Sequence, residues 1–119
     1  MRILPAFAAL AVLAIGTSAL AHPKLVSAVP AVNGVVTGSP TAIRMTFSEA
    51  PFPKLSGVKL TDAAGKAIRT GAPSISPTEK MQLVVPVTSP LAPGAYKVAW
   101  FAVAGDTHRV SGKFSFTVK

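Results

Sequence analysis

From Leu25 onward, apolar and polar residues alternate in short runs, and no stretch carries the three-to-four spacing of an amphipathic helix. Ala42 to Ser48 is the plainest case. Ile43, Met45 and Phe47 fall on one face, and Arg44, Thr46 and Ser48 on the other. The same period gives Lys24 to Val29, Gly57 to Thr61 with Val58 and Leu60 on one face, and a run in which Met81, Leu83 and Val85 alternate up to Pro86. It places Met45 and Met81 in the apolar stripe, where a methionine is core packing rather than a ligand. Tyr96, Val98 and Trp100 begin a longer run through Phe101 and Val103 to Ala104, and in the last run Gly112, Phe114, Phe116 and Val118 alternate with Lys113, Ser115 and Thr117. Turn chemistry punctuates these strands: Pro30 with Asn33-Gly34, Pro51-Phe52-Pro53, and Asp62 to Lys66, which closes a hairpin into a weaker strand from Ala67 to Thr70. Ser74 to Thr78 reads as a loop.

About seven short strands at such intervals predict an all-β domain, a Greek-key β-sandwich or barrel over residues 22–119. Leu91-Ala92-Pro93-Gly94-Ala95-Tyr96 resembles the tyrosine corner of immunoglobulin-like sandwiches, in which the hydroxyl bonds back to upstream backbone. Trp100 then belongs to the core.

Residues 1–21 follow a different pattern. Arg2 precedes an apolar run from Ile3 to Ile15, and small residues end at Ala19-Leu20-Ala21. This is the pattern of a secretory signal peptide cleaved after Ala21, and the run is shorter than the ~20 residues a spanning helix needs. The expected product is soluble and exported to the periplasm, and it begins His22-Pro23-Lys24-Leu25.

An amino-terminal histidine can close a chelate ring on one metal ion through its α-amine and its imidazole Nδ1. Binding displaces the amine's proton at little cost near neutral pH. Pro23 has no backbone N–H to add as a further ligand, so other donors must come from elsewhere in the fold. The chain has no cysteine, which excludes thiolate sites and disulfides. The other histidine, His108, follows Asp106 by two residues, so both side chains would leave the same face of an extended segment. If the sandwich brings this segment and His22 to one rim, an amine, two imidazoles and a carboxylate converge, a set suited to tetragonal Cu(II). The net charge is +8, less the Arg2 that leaves with the leader. The basic residues are scattered singly with no cluster, which argues against nucleic acid and for solubility or attraction to anionic surfaces.

Several segments together resemble the periplasmic copper-resistance protein C (CopC) family: His22-Pro23-Lys24-Leu25, Thr46-Phe47-Ser48-Glu49, Ser56 to Leu60, Leu91 to Trp100, and Gly105-Asp106-Thr107-His108 through Phe116. The resemblance spans essentially all of residues 22–119. It implies a small immunoglobulin-like or cupredoxin-like barrel or sandwich, with Cu(II) held by His22, Asp106 and His108 and an accessory role for Glu49. It also implies a non-enzymatic, monomeric protein of copper storage, tolerance or delivery, with copper as cargo and an inner-membrane copper transporter as a candidate partner. Two departures stand out. Arg109 follows the second histidine where many members have proline, and Thr61 to Pro77, where some members carry a methionine-rich Cu(I) loop, contains neither methionine nor histidine. Two alternatives follow from the residues, an oxidative enzyme built on amino-terminal-histidine copper and an interaction sandwich whose histidines are incidental.

Overall fold

The computed structural model describes residues 22–119; the expected leader, 1–21, lies outside the described residues. Nine strands form two sheets: β1 (Leu25–Val29), β2 (Gly34–Val36), β3 (Ala42–Phe47), β4 (Gly57–Asp62), β5 (Ala67–Ile68), β6 (Ser74–Ile75), β7 (Gln82–Pro86), β8 (Gly94–Val103) and β9 (Arg109–Val118). One sheet has the order β1-β3-β7-β6 and the other β2-β9-β8-β4-β5. All pairings are antiparallel except β2 with β9. The expected β-sandwich is present, with more strands than the sequence pattern resolves. β2 and β6 have three residues and two, too few to express a period of two, and β6 lies inside the segment read as a loop.

The longer strands follow the alternation closely. Ile43 and Met45 of β3 pair with Val85 and Leu83 of β7 across the sheet, and these four and Phe47 are buried. From the facing sheet come Val98, Trp100, Phe114 and Phe116, with Phe47 and Trp100 edge to face at 5.3 Å between centroids. Gly112 sits directly opposite Trp100 in the β8–β9 pair, and the indole lies so close that a Cβ there would stand 2.6 Å from it. A side chain at this position would displace the tryptophan. Tyr96 starts β8 as expected of a tyrosine corner, its hydroxyl donating to Ala92 O at 2.5 Å. Met81 departs from the expectation. It is 39% exposed, because β7 begins one residue later and Met81 serves the turn, its carbonyl accepting the Phe47 N–H.

Candidate metal centre

The amino-terminal segment is fixed to the rim of the sandwich by its backbone. Lys24 N–H donates to Ser48 Oγ at 2.8 Å, and Ser48 N–H returns a bond to Lys24 O at 2.9 Å. Pro23 is buried, so His22 emerges from an anchored residue. The β1–β3 register slips between Leu25 and Ser27, a bulge that redirects the start of the strand. Residues 48–56 then act as a strap to the other sheet, where Phe52 N–H donates to Val103 O and Ser56 Oγ accepts from Val103 N–H. Val103 ends β8, and the β8–β9 turn begins there. One connection therefore sets both walls of the site.

The turn is not extended, as its Asp-x-His spacing was expected to be. Thr107 has φ +64°, a left-handed conformation that a β-branched residue adopts only at a cost. The tight turn is closed by Thr107 N–H to Ala104 O at 2.8 Å. His108 N–H donates to Asp106 Oδ1 at 3.0 Å, which orients the carboxylate and leaves its other oxygen facing the rim. Asp106 and His108 thus reach one point by reversal of the chain rather than by alternation along it.

Asp106 Oδ2 is buried and accepts no hydrogen bond. His22 Nδ1 lies 3.0 Å from it and His108 Nδ1 3.6 Å, neither with the alignment of a hydrogen bond. The two imidazoles are 5.2 Å apart between centroids and inclined at 46°. Their side chains are 46% and 70% exposed, that of Asp106 21%. The ligating atoms of His22, Asp106 and His108 all fall within 4.8 Å of one another. A buried acceptor without a donor is costly, and a cation shared with two ring nitrogens would satisfy it.

Glu49, half-buried on the strap one residue after Ser48, is not among the three side chains gathered here. Arg109 makes no ion pair with Asp106 and lies over Phe101, its Cζ 4.1 Å from the ring centroid. Sequence reasoning had no signal for the strap or for the strained Thr107. Both depend on long-range backbone bonds.

A CopC domain model matches residues 25–119. The chain is 37% identical to copper resistance protein C of Escherichia coli over 91% of its length and 90% of the relative's. Among solved structures it is similar to PcoC, a methionine-rich copper resistance protein from Escherichia coli, with TM-score 0.75, 35% identity, and 83% of this chain and 100% of that one covered. It is also similar to CopC from Methylosinus trichosporium OB3b, with TM-score 0.75, 28% identity, and 82% and 94% covered.

Proposed function

Because the chain belongs to the CopC domain family, we propose that it is an exported Cu(II) carrier of copper tolerance or delivery, holding the ion through the amine and imidazole of His22 with Asp106 and His108. The observation that carries this reading is the orphaned Asp106 Oδ2 beside two imidazole nitrogens. Nitrogen and oxygen donors without thiolate favour Cu(II) in a tetragonal field over Cu(I). PcoC, a methionine-rich relative, has softer thioether donors in its composition. Of this chain's methionines, Met45 is fully buried and Met81 lies on the turn before β7, so neither joins the cluster.

On this reading the residues divide the work. Asp106 lowers the charge at the rim and Thr107 holds it there through the turn. Pro23 removes the amide that would compete as a ligand and anchors the histidine. We read the protein as non-catalytic, since a carboxylate beside both imidazoles suits retention of the ion more than an open position for oxygen. The periplasm is the expected location, and no helix of the described residues is long and apolar enough to cross a membrane.

The test is a Cu(II) titration of chain starting at His22 beside chain carrying one extra methionine ahead of it. The first should bind one equivalent with a tetragonal EPR spectrum showing nitrogen hyperfine structure. The second loses the chelate ring and should bind orders of magnitude more weakly. Equal tight binding would remove the amine from the ligand set, and failure of both would end the copper reading.

A further inference from the structure

The basic residues that look scattered along the chain are gathered by the sheet register. In the five-stranded sheet Lys59 of β4 pairs with Ala99 of β8, and Ala99 with Lys113 of β9. One step along, on the same outer face, Thr61, Lys97 and Ser115 form the next row, and Gly57, Phe101 and Ser111 the row on the other side. Arg109 lies beyond, stacked on Phe101. Strands are spaced ~4.8 Å apart, so Lys59 and Lys113 stand about 10 Å from one another across Ala99. All four cations are exposed, no acidic residue shares these rows, and none of the four makes an ion pair among the described residues. Ala99, whose side chain is a single methyl, leaves the centre low. The result is a depression of about 560 Å³ walled by Lys59, Lys113, Phe101 and Arg109.

We propose that this face docks an acidic polypeptide segment of a partner protein, seated over Ala99 with carboxylates on Lys59, Lys113 and Arg109. Charge complementarity chooses the sign. The Arg109 guanidinium lies over Phe101, is exposed and makes no ion pair among the described residues, which leaves it available for two-point recognition of a carboxylate. A planar headgroup layer would meet the lysine tips and leave the depression beneath them unfilled. A second copy is a poor occupant, since the chain has only four acids in all and its net positive charge repels its own kind. Arg109 adjoins His108, so an occupant of this face would sit beside the metal rim. Docking on this face does not require bound copper.

The experiment uses chain from His22 and a fluorescein-labelled peptide of alternating Glu and Leu, with its Gln counterpart and mixed phosphatidylglycerol–phosphatidylcholine vesicles alongside. At low salt the Glu peptide should bind and the Gln peptide should not, and amide NMR shifts should centre on Lys59, Ala99, Phe101 and Lys113. K59E/K113E should weaken the peptide about tenfold, while K66E/K80E, with the same change in net charge on other surfaces, should weaken it less than about twofold. Should K59E/K113E lose its thermal transition, K59Q/K113Q gives the same contrast at about half the logarithmic effect. Equal weakening by both pairs would reduce the effect to net charge and overturn the proposal. So would shifts centred elsewhere, or vesicle binding through these lysines without peptide binding.

Discussion

Asp62 and Asp106 each follow or end a strand of the same sheet and each accept a backbone N–H two residues on, yet they leave their turns in opposite states. Asp62 Oδ1 takes two donors, Ala64 N–H and Lys66 N–H, both at 2.9 Å, and with the Gly65 N–H to Asp62 O bond it closes the β4–β5 hairpin. Asp106 Oδ1 takes one, from His108, while Oδ2 is buried and accepts none. The turn geometry of an aspartate accounts for one oxygen of each residue; among the described residues only the second oxygen of Asp106 is both buried and without a donor. What separates the structural carboxylate from the candidate metal-binding one is the burial of the unmatched oxygen and the two imidazoles beside it, and neither is visible in an Asp-x-x or Asp-x-His spacing.

The largest effect expected from this contrast is on acidification. Protons compete with metal for the amine and both imidazoles, so bound Cu(II) should be released as pH falls, which a competition titration across pH would follow. Retention of the ion in acid would mean that the nitrogens are not ligands. Asp106→Ala comes next. Removing a group that merely supports a metal ligand costs about 10–100-fold, so loss of the carboxylate itself should cost at least about 100-fold in Cu(II) affinity. Thermal stability should stay within about 0.5 kcal/mol, because the carboxylate that leaves was not fully bonded. Asp62→Ala should reverse the pattern. Copper affinity is unchanged and unfolding free energy falls by about 1–2 kcal/mol as two backbone donors lose their acceptor, measured by denaturant titration. Copper loss in Asp62→Ala, or unfolding in Asp106→Ala, would erase the distinction. Glu49→Ala should have the smallest effect, about threefold on Cu(II) affinity through weaker long-range attraction; a loss equal to that of Asp106→Ala would make Glu49 a ligand.

The sandwich was legible because its long strands carry a strict period of two, and Ile43, Met45, Phe47, Phe114 and Phe116 are buried where that period puts them. Tyr96 was legible because its motif is local and its hydroxyl reaches only four residues back. Met81 was misplaced because the period was extended one residue past the start of β7. The three residues of the candidate site were named from chemistry and family likeness, and the rim brings them within reach of one another. Their route there was not legible, since it depends on Thr107 entering the left-handed region and on a strap bonded to both sheets. The cationic face was read as absent. Lys59, Lys97, Arg109 and Lys113 are neighbours only once β4, β8 and β9 are in register, and spacing along the chain carries no trace of it.

β1 pairs on one side only, at the edge of its sheet, and Ala28 is its one buried residue. Such a strand can peel from β3 by breaking a few hydrogen bonds while the core stays shut, so its amides should exchange with deuterium far faster than those of β8. His22 heads this strand. An ion bridging it to the β8–β9 turn would tie the strand end down and would lose a ligand whenever that end frayed, so it should slow exchange from Leu25 to Ser27 while leaving β8 unchanged. Fraying of one edge would then set the pace at which cargo is handed over, with no global unfolding required.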